Sequence, residues 1–119
     1  MSARFPASVF TRGEEPDARF TLANERTFLA WIRTSLAFLA AGVALELLGL
    51  DLHAGLRLAA SLVLVIVGML IPVLAWMGWM RTERALRESR PLPASLLGAT
   101  LGIAVTIVGI LLLLAILVP

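Results

Sequence analysis

Two uncharged stretches decide what this chain can become. Leu58–Met80 carries no charged residue across 23 positions, and the 29 positions from Pro91 to Pro119 carry none either. A bilayer core of roughly 30 Å is crossed by about 20 helical residues, so each stretch is long enough to span. Composition agrees: 60% of residues are apolar and 15% charged, with a mean hydropathy of +0.95. Soluble domains average roughly 45–50% apolar and about 25% charged. A single domain of 119 residues could not bury that much apolar surface in water. A soluble globular domain is excluded, and the sequence predicts an all-α integral membrane protein.

A third span precedes these two. Only 12 uncharged residues separate Arg33 from Glu46, about 18 Å of helix. That is too short to cross alone, so either the segment is a buried or interfacial helix or it crosses with one or both charges inside the apolar slab. Trp31–Leu50 supplies the required length. The sequence therefore predicts three transmembrane helices, at about 24–50, 58–88 and 95–118, within a domain over 19–119. Residues 1–18, with Pro6, Gly13 and Pro16, read as a flexible tail. Glu14, Glu15 and Asp17 argue against a signal peptide in this stretch. Pro91 and Pro93 turn the chain from the second helix into the third. Asp51–Arg57, containing Gly55, reads as the hairpin between the first two.

Arginine placement sets the expected orientation. Nine of the ten arginines lie in the N-terminal segment or the second loop, which share one side of a three-span protein. The positive-inside rule makes that side cytoplasmic and puts the C-terminus outside. Trp31, Trp76 and Trp79 all fall at the same interface and are expected to anchor there. The location predicted is the inner, plasma membrane.

Several chemistries are excluded. There is no Cys and one His, His53, so thiolate and multi-histidine metal sites are ruled out. No nucleophile–His–acid grouping or phosphate-cradling glycine loop is present, and neither an enzymatic role, a cofactor, a metal nor a nucleic-acid partner is expected. All ten basic residues are Arg, permanently charged and matched to phosphate geometry.

Phe20–Leu45 carries the information. Arg19, Arg26 and Arg33 recur every seven residues and so share one helical face. They either reach lipid phosphates at the inner leaflet or turn inward in an oligomer whose copies share an anion path. Thr21 or Asn24 is placed to cap the helix, and capping by Asn24 puts Glu25 in its first turn. Glu46 lies about 22 Å along from Trp31, within the slab, and needs a partner. Arg57 and His53 are the candidates, and a gate or proton-linked role is the other reading.

In the third span, Ser95, Gly98, Gly102, Thr106 and Gly109 form a small-residue ridge that lets helices approach closely in lipid. The partner is either another helix of the chain or a second copy. Gly68 and Pro72 mark a kink in the second span. Arg81–Arg90 continues that helix, with Glu83 spaced to pair with Arg87 and Arg84 with Glu88. It is either a solvated helix end or a route for Arg81 and Arg84 to headgroups or a polyanion.

The run LANERTFLAWIRTSLAFLAAGVAL resembles the signature of the YidH family of small three-span inner-membrane proteins. It is also similar to the membrane domain of the eukaryotic vacuolar transporter chaperone complex, most closely over Ala23–Trp31. That second resemblance implies a ring of copies whose first helices line a polyphosphate path. Arg26 and Arg33 would then contact phosphate, and Glu25 would shape the site. The polymerase and inositol-phosphate sensing domains of that complex have no counterpart here.

The expectation is a non-enzymatic membrane protein that self-associates into a homo-oligomer and binds anionic lipid or polyphosphate through its first helix. The alternative is a structural or assembly subunit of a larger membrane protein.

Overall fold

The computed structural model describes residues 4–119, and the first three residues of the expected tail lie outside the described residues. Four helices follow one another: α1 (Ala7–Phe10), α2 (Ala18–Leu47), α3 (Ala54–Arg87) and α4 (Leu97–Leu117). Among the described residues there is no strand. The last three helices are each long and apolar enough to cross a membrane, so the chain is an all-α, three-span integral membrane protein. α3 is the hub: α1, α2 and α4 all pack on it.

The ends of α2 and α3 differ from the sequence expectation, and each difference has a local cause. α2 starts six residues before residue 24, because Asp17 rather than Thr21 or Asn24 is the N-cap, its side chain accepting from the Arg19 N–H. α2 stops at Leu47, and the turn to α3 is made at Gly49, which has φ +58°, a left-handed conformation that glycine adopts without a Cβ clash. Gly55 lies inside the first turn of α3, which is capped by His53 Nδ1 accepting from Leu56 N–H at 3.2 Å. α3 ends before the prolines. Ser89 turns left-handed at φ 52°, and the Arg90 N–H reaches back to the Ala85 carbonyl at 2.9 Å, the closing bond of a Schellman cap.

α4 sets the level of the bilayer. Its 21 residues measure about 31 Å, close to one hydrocarbon core. Its first residue, Leu97, packs with Ala75 and Ile71 of α3 and with Phe28 and Trp31 of α2. At its other end the Ala115 carbonyl accepts from His53 N–H at 3.1 Å. The slab thus runs from Ala54 to Ala75 on α3 and from about Phe28 to Leu47 on α2, each close to 30 Å at about 1.5 Å per residue. Leu36, Val43, Ile66, Met69 and Ile103 within that slab are all more than half exposed, as lipid-facing residues are. Beyond it, residues 18–27 of α2 and 76–87 of α3 project together as a two-helix stalk that holds five of the ten arginines.

α2 meets α3 along Thr21, Asn24, Phe28, Trp31, Ser35, Phe38 and Gly42, spaced alternately by three and four. Small residues allow the close approach. A Cβ on Gly42 would lie 2.7 Å from Val65 Cγ2 and 3.0 Å from the Ser61 carbonyl oxygen, and one on Gly68 would lie 2.9 Å from Leu39. α3 runs helical through Pro72. Proline lacks the N–H that would bond Gly68 O, and Ser35 Oγ donates to that oxygen instead, at 2.6 Å.

Residues 4–17, read from sequence as part of a flexible tail, lie along the stalk. Phe5 stacks on Trp76 and Phe10 packs on Trp79, with ring centroids 6.3 and 6.1 Å apart. The buried Arg87 donates to the carbonyls of Arg12 at 2.9 Å and Phe10 at 3.1 Å. Gly13, at φ +56°, lies against the Arg87 carbonyl so closely that a Cβ there would be 2.1 Å from the oxygen. The neighbouring Glu14 N–H bonds that same oxygen at 2.9 Å.

Candidate functional site

Arg19, Arg26 and Arg33 are all exposed. At about 100° per residue they fall on the side of α2 opposite the Asn24–Phe28–Trp31–Ser35 stripe that meets α3. Arg19 is bound back onto its own cap: its guanidinium donates to Asp17 at 2.9 and 3.2 Å. The Asp17 carboxyl is thereby held below its ordinary value, mainly by that hydrogen bond, and the Arg19 guanidinium is raised. Among the described residues, Arg26 and Arg33 have no carboxylate within 4.0 Å. Arg26 sits just outside the slab. Arg33 is about 7 Å inside it, within the reach of a side chain that buries its stem and lifts its head to the interface. Glu25 is also exposed, about a quarter turn from Arg26.

The residue of the Ala23–Trp31 motif that points into the protein is Asn24. Its amide donates to the Trp79 carbonyl at 3.1 Å and to Glu83 Oε1 at 3.4 Å. Thr21 Oγ1 donates to Glu83 Oε2 at 3.4 Å. Glu83 is fully buried, so the amide and hydroxyl meet the requirement that a polar group taken from water finds hydrogen bonds. This clasp ties α2 to α3 above the slab. Its signal in the sequence was the three-and-four spacing, in which the polar Asn24 and Ser35 share an otherwise aromatic and apolar stripe. The Glu83–Arg87 and Arg84–Glu88 pairs expected along α3 are replaced: Glu83 faces α2, Arg87 holds residues 10–15, and Glu88 binds Arg90 at 2.9 Å.

At the other end of the slab Glu46 has its partner. Arg57 Nε and Ser61 Oγ both donate to Glu46 Oε1 at 3.3 Å, and Arg57 also donates to the Leu50 carbonyl at 2.7 Å. His53 serves as the α3 cap instead.

The tryptophans expected to anchor at the interface divide. Trp31 and Trp76 are part-buried, while Trp79 is only 8% exposed. It lies between Trp76, 5.0 Å away and stacked, and Phe10. Trp79 therefore packs inside the protein and not against lipid, because the docked N-terminal segment covers it. Gly98, Gly102 and Gly109 of α4 face open space, with nothing within 4 Å of a built Cβ. The α4 contact with α3 is made instead by Leu97, Ala104, Val108 and Ala115, the buried residues of α4. No group of three or more His, Cys, Asp or Glu residues suited to a metal occurs among the described residues.

Comparison with known proteins places the chain. Residues 19–85 match the family model described as a domain of unknown function, DUF202. Inner membrane protein YidH of Escherichia coli K12 is 48% identical over 82 residues, covering 68% of this chain and 71% of that protein. A Mycobacterium tuberculosis H37Rv protein, named as uncharacterized, is 44% identical over 97 residues, covering 81% of this chain and 80% of its own length. Neither name is enzymatic. No solved structure matches. The matched region contains the α2–α3 hairpin, the Asn24–Glu83 clasp and the Arg19–Arg26–Arg33 face, and the chain belongs to the DUF202 family of YidH-like, multi-pass inner-membrane proteins.

Proposed function

We propose that this protein is a non-enzymatic, self-associating inner-membrane component whose copies present Arg19, Arg26 and Arg33 to phosphate-rich anions. Lipid headgroups and polyphosphate share the chemistry that these guanidinia recognise. In an assembly that turns the faces toward one another, they line a path for such an anion. The positive-inside rule puts the stalk in the cytoplasm and the C-terminus outside.

One observation carries the reading: the arginine face of α2 points away from its own α3, and two of its three guanidinia lack an acidic partner among the described residues. Phe20 and Leu22, each 55% exposed, lie on the stalk beyond the slab, where an apolar side chain gains from a neighbouring copy. The resemblance of Ala23–Trp31 to the polyphosphate-handling membrane domain adds support. The open glycine ridge of α4 favours a second reading, an assembly subunit that docks a larger membrane protein there.

The test is binding of short-chain polyphosphate and of anionic lipid to the purified protein by native mass spectrometry, with Arg26→Gln and Arg33→Gln variants. Loss of about tenfold or more in affinity per charge-assisted contact is expected. Equal binding by wild type and the double variant refutes the anion role. A mass that always includes a different polypeptide favours the assembly-subunit reading.

A further inference from the structure

A second arginine cluster lies outside the α2 face. Arg81 and Arg84 stand one turn apart on α3, and the Schellman bond from Arg90 N–H to the Ala85 carbonyl folds Arg90 back beside them. These three arginines, with Ala85, Pro91 and Pro93, line a cavity of about 210 Å³. One carboxylate faces the cluster, Glu88, which takes Arg90 at 2.9 Å. Arg84 Nε is enclosed and has no hydrogen-bond partner. Three guanidinia held together with one carboxylate leave an excess of positive charge and unspent donors, a demand that a phosphate meets with bidentate acceptors.

Two placements specify what carries that phosphate. Arg81 is six residues beyond Ala75, about 9 Å above the slab edge, so its backbone stands just past a headgroup layer of about 5–7 Å and its long side chain reaches back to the phosphates. A second cavity of about 160 Å³ adjoins the first, sharing Arg81 and Pro93, and is lined on its deeper side by Phe28, Trp31, Leu74 and Leu97. A soluble anion has no use for the apolar cavity. A phospholipid uses both.

We propose that the Arg81–Arg84–Arg90 pocket and the apolar cavity beneath it hold one anionic phospholipid. Its phosphate sits among the three arginines, and the start of an acyl chain lies between α2, α3 and α4. The lipid fills the gap that the Pro91–Pro93 linker leaves between α3 and the start of α4. This site is separate from the α2 face and stands whether or not that face binds anions.

The test uses the full-length protein in neutral detergent, with native mass spectrometry and thermal unfolding as readouts. The probes are phosphatidylglycerol, phosphatidylcholine, inorganic phosphate and short-chain polyphosphate. One tightly held phosphatidylglycerol per chain and a raised Tm with that lipid are expected, with phosphatidylcholine bound about tenfold or more weakly. Arg81→Gln, at an exposed position, and Arg84→Gln should each weaken retention of phosphatidylglycerol. Leu74→Trp, which fills the apolar cavity, should do the same as the Arg84 change. Equal retention of the two lipids, or full retention by the Arg81→Gln/Arg84→Gln variant, overturns the proposal. So does stabilisation by inorganic phosphate or polyphosphate that matches the lipid, since the pocket would then serve a soluble anion.

Discussion

The Ser35 hydroxyl donates to the Gly68 carbonyl at 2.6 Å, and Gly68 O is the acceptor that Pro72, four residues on, cannot reach with an N–H. In a bilayer no water replaces that bond. A serine on α2 therefore repairs what a proline costs α3, and it joins the two helices about 10 Å inside the slab. Ser35→Ala should destabilise the protein by about 1 kcal/mol, measured by denaturant titration in detergent. The same change in a Pro72→Ala background should cost less, because the carbonyl then has its own helical partner. Equal costs in both backgrounds would separate the serine from the proline.

The glycines divide by what lies against them. Gly42→Ala must push α2 off the Ser61 backbone and Val65, an overpacking cost of about 1–3 kcal/mol. Gly102→Ala meets open space and should leave the unfolding of a single chain unchanged or slightly improved, since alanine is the better helix former. Unfolding curves for both variants check the contrast.

Glu46 and Arg57 should behave as a coupled pair. Arg57→Met alone leaves a carboxylate near the slab edge with only Ser61 beside it, whereas Glu46→Gln/Arg57→Met removes both charges. The double variant is expected to be at least as stable as the Arg57 single variant, with a coupling of about 1 kcal/mol. Additive losses would mean the 3.3 Å contact carries no energy.

Docking of the N-terminal segment should depend on pH. Arg4 donates to Glu15 at 2.7 Å and Arg87 lies 3.8 Å from the same carboxylate. The Arg4 hydrogen bond, with the charges of Arg4 and Arg87, holds the Glu15 carboxyl below its ordinary value of 4.5. A depressed carboxyl contributes fully above that ordinary value and loses its contribution as pH falls through the depressed one. Tryptophan fluorescence, which reports Trp79 against Phe10, should therefore be constant near neutrality and change on acidification below about 4.5. Glu15→Gln should remove that acid transition. An unchanged transition in the variant would assign it elsewhere.

The second and third spans are legible because 23 and 29 consecutive uncharged residues are each long enough to cross a bilayer; the first rests on the length of Trp31–Leu50 with its charges included, and the shared face of Arg19, Arg26 and Arg33 on helical geometry alone. The start of α2 is not legible: Thr21 and Asn24 are equally plausible caps by residue type, and Asp17 is the one that accepts from the Arg19 N–H. Local preference could not show that Asn24 was wanted inside, opposite Glu83 some 59 residues away. The docking of residues 4–17 was hidden for the same reason. It depends on Gly13 meeting the Arg87 backbone and on Arg87 reaching two carbonyls, contacts with no local pattern. Gly49 falls inside the first span expected at 24–50, so the sequence offers only Gly55 for the turn, whereas the left-handed φ of Gly49 ends the helix at Leu47.

Leu29 lies between Arg26 and Arg33 on the outward side of α2, 46% exposed, whereas Ser35 faces α3 and is 2% exposed. The chain has no native cysteine, so one can be introduced at either position without background. Oxidative crosslinking of Leu29→Cys and Ser35→Cys in native membranes tests whether the arginine faces of neighbouring copies meet. A disulfide-linked dimer from Leu29→Cys and none from Ser35→Cys is the outcome expected. Failure of Leu29→Cys to crosslink, or equal yields from both positions, would contradict an assembly built around that face.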